Sequence, residues 1–284
     1  LLFSAVLNIV LDLVLIIVFH LGAAGAAYAT VIAQGVSALL CLVYIIKKVP
    51  ILKLDRWDFK LDGHLVRQQL AIGFPMALQY SITAIGAMMV QAALNVLGSV
   101  HVAAFTAANK IEQVATQVYV ALGTTMATYC AQNMGAGKYT RIRKGFKSAT
   151  LIGFIYAVVT GVIIFFVGKY MTIFFVSENV NQIMEYVDIY LRCVSVSFLP
   201  LVIVNLYRNG IQGMGYGLVP MLGGVFELVA RTGIVVLIAG HTSFAGVCMA
   251  DPTAWIAALI PLIPYYFHVM KKYKNKSQVQ AVED

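Results

Sequence analysis

Leu7-Asn8-Ile9-Val10-Leu11-Asp12-Leu13 sets an amide and a carboxylate four residues apart inside an apolar run from Leu1 to Phe19. Residues four apart share one face of a helix, so Asn8 and Asp12 present polar atoms to one point. A helix needs about 20 apolar residues to cross the hydrocarbon core of a bilayer, and this run has that length. A charged side chain within such a helix costs roughly 2.5–3.5 kcal/mol on the insertion scale unless it meets water, a partner or an ion. Asp12 therefore reads as an ion or proton site, the alternative being a bond to a neighbouring helix.

The rest of the chain fits that membrane reading. Of 284 residues, 61% are hydrophobic and 11% charged, where a soluble domain carries about 25% charged residues. Apolar runs bounded by Gly, Pro and charge give eight spans, at about 1–19, 26–46, 71–97, 102–133, 148–176, 184–211, 216–239 and 244–270. The chain has no Met at position 1 and starts inside a hydrophobic helix, so the front of a longer protein is expected to precede it.

Net charge is +8, and its placement carries topology rather than nucleic-acid binding. Most of the 20 basic residues fall in three segments. These are 47–70 (Lys47, Lys48, Lys53, Arg56, Lys60, Arg67), 135–147 (Lys138, Arg141, Arg143, Lys144, Lys147) and the tail (Lys271, Lys272, Lys274, Lys276). With eight spans all three lie on one side, which the positive-inside rule makes the cytoplasm. The opposite loops carry only Lys169. Segment 47–70 also mixes its charges with Leu52, Leu54, Trp57, Phe59, Leu61 and Leu65, a pattern suited to lying on the membrane surface.

Gly25-Ala26-Ala27-Tyr28-Ala29-Thr30 opens the second span, and Gly246-Val247-Cys248-Met249-Ala250-Asp251 opens the last. Superposed, these place Asp251 on Thr30, a weak internal repeat of the kind secondary transporters show. Gln79 and Thr83, one turn apart in the third span, either line a cavity or join adjacent helices. Glu112 points away from Lys110 and is a cavity carboxylate or half of an ion pair with another helix. Glu227 and Arg231 are spaced as a structural ion pair within one helix, and Arg208 is placed to snorkel to the inner surface. Asp251 precedes Pro252, an arrangement suited to a helix start or a break, and is a second cavity candidate. Cys41, Cys130, Cys193 and Cys248 match no zinc or redox spacing, and the five His form no metal-ligand pair. No metal, no cofactor and no catalytic cluster is expected, which sets enzymes aside.

Several short motifs in order carry a resemblance. They are Gly73-Phe74-Pro75, Ala108-Asn109-Lys110-Ile111-Glu112, Gln132-Asn133-Met134-Gly135-Ala136-Gly137, Gly210-Ile211-Gln212-Gly213-Met214-Gly215 with Pro220, and Ala250-Asp251-Pro252-Thr253-Ala254-Trp255. Together they resemble the multidrug and toxic compound extrusion (MATE) transporters. The resemblance implies a twelve-helix protein of two six-helix lobes, of which this chain supplies helices five to twelve. The expected class is an all-α polytopic transmembrane bundle with MATE-like two-lobe architecture and an incomplete N-lobe. Residues 1–46 would close the N-lobe, 47–70 form a cytoplasmic linker, 71–270 form a six-helix C-lobe and 271–284 a cytoplasmic tail.

One branch of the family has an N-lobe cation site built from an Asn and an Asp on the fifth helix and a Thr on the sixth. Asn8, Asp12 and Thr30 match it, and Gln34 would face the same cavity. Another branch places essential acids on helices seven and ten, where this chain offers Thr83 and Pro200-Leu201. The resemblance therefore implies an antiporter, coupled to H⁺ or Na⁺ through Asp12, that exports drugs or organic, often cationic, compounds. It would act as a monomer in the plasma membrane, with small-molecule substrate and membrane lipid as its partners. A lipid-linked precursor flippase of the same superfamily and a non-transporting scaffold are the alternatives.

Overall fold

The structure, a computed structural model, describes residues 2–52, 58, 60–176, 180–238 and 243–283, and every regular element among them is a helix. They fall in two compact units, Leu1–Gly63 and His64–Asp284.

In the first unit α1 (Leu2–Leu13) passes into a π turn (Val14–Val18), and the chain returns as α2 (Gly22–Lys48). The reversal uses positive φ at His20 (52°) and Gly22 (53°), a region open to Gly and tolerated by His. Gly25, Ala29 and Ala33, four apart, are the buried stripe of α2. With no bulk on that stripe the α1 backbone comes close, as small-residue interfaces permit. A Cβ at Gly25 would lie 3.1 Å from the Leu15 carbonyl carbon and oxygen. At the other end Ser4 Oγ donates to the Ala33 carbonyl at 3.1 Å, which fixes an antiparallel pair. Large apolar side chains such as Phe3, Ile17, Leu39 and Tyr44 face outward, the surface of a protein whose solvent is lipid.

The second unit holds α3 (Gly63–Leu97), α4 (Ser99–Gly135), α5 (Tyr139–Val167) with a 3₁₀ extension (Gly168–Phe174), α6 (Val180–Ser195) and α7 (Phe198–Gly213). Then follow α8 (Leu218–Ile238), α9 (Phe244–Cys248) and α10 (Ala250–Glu283). Two breaks have the same cause. A proline ring excludes the carbonyl four residues earlier from the helix ladder, which for Pro200 is Val196 and for Pro252 is Cys248. Accordingly α6 stops at Ser195, α9 stops at Cys248, and α6 and α7 meet at a 54° bend. The core is built on α4, α5, α6 and α7, where Tyr119, Phe146, Tyr190, Phe198, Leu206 and Ile211 are fully buried. A Cβ at Gly213 would overlap the Ala127 carbonyl, so the backbones of α7 and α4 touch there.

Several expected boundaries change. Among the described residues five helical stretches are long and apolar enough to cross a membrane, and the bent α6–α7 pair makes a sixth. The first expected span is shortened because α1 and its π turn end at Val18. The fourth, α4, is long enough but is studded with Gln113, Thr116, Gln117, Thr124, Thr125 and Thr128, which lower its hydropathy. The 47–70 connection is shorter than expected, since α2 runs to Lys48 and α3 starts at Gly63. Lys53, Leu54, Arg56, Trp57 and Phe59 lie outside the described residues. The segment expected as the tail continues α10, which runs in one helix to Glu283. Its sequence after Pro264 contains no Gly or Pro to stop it.

Candidate functional site

In the first unit the close approach of α1 to α2 brings Asn8 and Thr30 together. Asn8 Nδ2 donates to Thr30 Oγ1 at a long 3.5 Å, and Thr30 Oγ1 donates its own proton to the Ala26 carbonyl at 3.0 Å. Asp12 is half-buried, and its Oδ1 is covered while accepting no hydrogen bond among the described residues. It sits two residues before the π turn Val14–Val18, a local departure from α-helix often found at functional sites. A covered carboxylate oxygen without a donor costs free energy unless a proton or cation meets it. Gln34, one turn beyond Thr30, is exposed on α2.

The second unit gathers a larger polar network across five helices. Glu227 on α8 takes Arg208 of α7 as its tight partner. Arg231, one turn along α8, turns its Nε to Asp251 Oδ1 at 3.0 Å, at the start of α10. Tyr190 on α6 is fully buried and donates to Glu112 Oε2 of α4 at 2.6 Å. Asn109 Oδ1 (3.1 Å) and Asp251 Oδ2 (3.4 Å) also lie within reach of that hydroxyl. The ring of Phe105 stands edge-on to Tyr190, with centroids 5.0 Å apart, and holds it in place. Two arginines thus face Glu227 and Asp251, while Glu112 has a phenol as its partner instead of a cation. The break before Ala250 sets Asp251 in the first turn of α10, where the helix dipole favours an acid.

These positions revise two expectations. The Glu227–Arg231 pair within α8 is present only at 4.0 Å, because each member has a closer partner on another helix. Arg208 does not snorkel to the surface; it turns inward to Glu227, with its side chain 15% exposed. Glu112 joins neither Lys110 nor another cation among the described residues. Gln79 is buried and accepts from Gln212 Nε2 of α7 at 2.8 Å, so it joins two helices. Thr83 is half-buried one turn further along α3.

Tyr190, Asn109 and Arg208 were missed as network members by sequence reasoning. Asn109 and Glu112 stand three apart on one helix face, and that spacing was the available signal. For Tyr190, one of 15 tyrosines, the sequence offers no signal.

Comparison with known proteins agrees with this architecture. The MatE family model matches residues 71–237. The chain is 31% identical over 213 residues to the probable multidrug resistance protein YpnP of Bacillus subtilis, covering 74% of this chain and 46% of that protein. It is 25% identical over 288 residues to the probable multidrug resistance protein YoeA of the same organism, covering 98% of this chain and 62% of that protein. A crystal structure of MATE in complex with MaL6 superposes with a TM-score of 0.88 at 20% identity, covering 96% of this chain and 62% of that one. The chain therefore spans about half to three-fifths of the length of the relatives it matches. With a matching family model over most of the second unit and a shared helical fold, the chain belongs to the MATE family of membrane transporters.

Proposed function

We propose that this chain is the coupling and C-lobe portion of a cation-driven exporter of drugs or other organic compounds, working by alternating access in the plasma membrane. The observation that carries the reading is the covered Oδ1 of Asp12, without a hydrogen-bond partner among the described residues, in an apolar helix beside the Asn8–Thr30 contact and a π turn. An incoming proton or Na⁺ relieves the uncompensated carboxylate. A proton removes the charge outright, whereas Na⁺ draws on oxygen ligands, of which Asp12, the Asn8 carbonyl and Thr30 Oγ1 supply three. Loading this site biases one conformation over the other by the difference in its affinity for the two. The relatives' names, multidrug resistance proteins, support the substrate class.

A flippase would need bare cations midspan, lining its cavity, for a phosphate-bearing substrate. Arg208 and Arg231 are instead held by Glu227 and Asp251, which favours the exporter.

The test is efflux of a cationic dye by the full-length transporter in inverted vesicles, under an imposed proton or sodium gradient. Asp12→Asn is expected to abolish gradient-driven export while substrate binding and monodisperse elution persist. Full-rate export by that variant sinks the assignment. Flux by the parent protein that never runs uphill points to a channel, and no flux at all to a scaffold.

A further inference from the structure

Away from both polar clusters, the second unit carries a groove of about 750 Å³ on α5, bounded by α7 and α10. Its α5 wall is one helix face read at spacings of three and four: Thr140, Arg143, Lys144, Lys147, Thr150, Leu151 and Phe154. The first half of that face is cationic and the second half is apolar. Arg143, Lys144 and Lys147 are exposed, and none has a carboxylate partner among the described residues. Thr150 Oγ1, at the change from charge to oil, is covered and has no hydrogen-bond partner among the described residues. The floor is a packed aromatic set, with Tyr207 and Tyr266 centroids 4.8 Å apart and Phe146 4.6 Å from Tyr266. The hydroxyls of Tyr207 and Tyr266 donate to no protein group among the described residues. Past Thr150 the rim is Leu151, Phe154 and Phe267, 60%, 50% and 62% exposed, the dress of a surface that faces acyl chains.

We propose that this groove binds an anionic phospholipid of the cytoplasmic leaflet. The cations and free hydroxyls would take the phosphate, and the apolar rim the upper acyl chain. The charge distribution in the sequence sets the Thr140–Lys147 end on the cytoplasmic side, where anionic headgroups lie. From Arg143 to Phe154 the helix rises about 16 Å, enough to run from headgroup level into the hydrocarbon. Arg143 offers the planar fork suited to a phosphate, and Lys144 and Lys147 add point charge. A free phosphate would have no use for the apolar half of the face, and this favours a lipid over a soluble anion.

The test uses the full-length transporter with native mass spectrometry from mixed micelles of phosphatidylglycerol and phosphatidylcholine. The parent protein is expected to retain phosphatidylglycerol selectively. Removing each cation lowers retention by about fivefold, so R143Q/K144Q/K147Q approaches the phosphatidylcholine level. The charge-preserving K144R/K147R retains it, and cysteine accessibility confirms that neither variant alters topology. Equal retention of both lipids by the parent, or undiminished phosphatidylglycerol on the triple variant, overturns the proposal. So does displacement of the lipid by inorganic phosphate at millimolar concentration, which marks a simple anion site.

Discussion

Replacing Glu227 with Gln tests the idea that paired charges, and not packing alone, fix the helices of the second unit. Glu227 is 3% exposed and holds Arg208 (15%), with Arg231 (8%) at 4.0 Å. All three lie well below the exposure at which solvent screening removes the value of a pair. Gln keeps the shape and one acceptor but leaves the buried Arg208 guanidinium without a carboxylate, while Arg231 keeps Asp251. Stranding one member of a buried pair costs about 3–5 kcal/mol. For a unit the length of His64–Asp284, each kcal/mol shifts the melting point by about 2–4 °C, so the expected fall is about 6–20 °C. Thermal melts of the full-length protein in detergent, read by fluorescence-detected size exclusion, measure it. Adding Arg208→Gln should restore part of the loss, because the uncompensated cation is then gone. A single variant that melts within about 1 °C of its parent, with no change in the double variant, would refute the reasoning.

Tyr190→Phe removes the 2.6 Å donor to Glu112 and is expected to cost about 1–3 kcal/mol, read in the same melts. Adding Glu112→Gln should recover much of it, since a neutral amide costs less to leave buried than a carboxylate. Gly213→Val pushes a side chain into the Ala127 carbonyl and should destabilise by about 1–3 kcal/mol or prevent folding, read as loss of the monodisperse peak. Gly25→Val should force α1 from α2 and reduce gradient-driven efflux with little change in melting, because the contact lies within the small first unit. Equal efflux from that variant would show that the spacing of α1 and α2 is irrelevant to coupling.

What the sequence disclosed follows the range of each interaction. Helix existence rests on local rules, and the break at Pro252 was legible in the same way; the break at Pro200 was not, because 184–211 reads as one span and Pro75, Pro261 and Pro264 sit inside unbroken helices. The isolation of Asp12 was legible for the same reason, since a charge in an apolar run stands out without any knowledge of its neighbours. Partner choice across helices was not legible. Arg208 and Glu227 are 19 residues apart and Arg231 and Asp251 are 20 apart, so only packing says which helix faces which. The four-residue spacing of Glu227 and Arg231 suggested the bond within α8 that is present at 4.0 Å, but not the closer interhelical partner that each of them also has. The π turn after Asp12 has no signature in Val14–Val18, an ordinary apolar run.

The bare stripe of Gly25, Ala29 and Ala33 has a mechanical consequence. Side chains that interdigitate must climb over one another when one helix slides along another, which gives such motion discrete steps. Hydrogens and methyls on α2 offer α1 a smooth track with little friction. Beside that track the stretched 3.5 Å contact from Asn8 to Thr30 is a weak latch. On the coupling proposed above, a single ion arriving next to it would choose where the slide comes to rest.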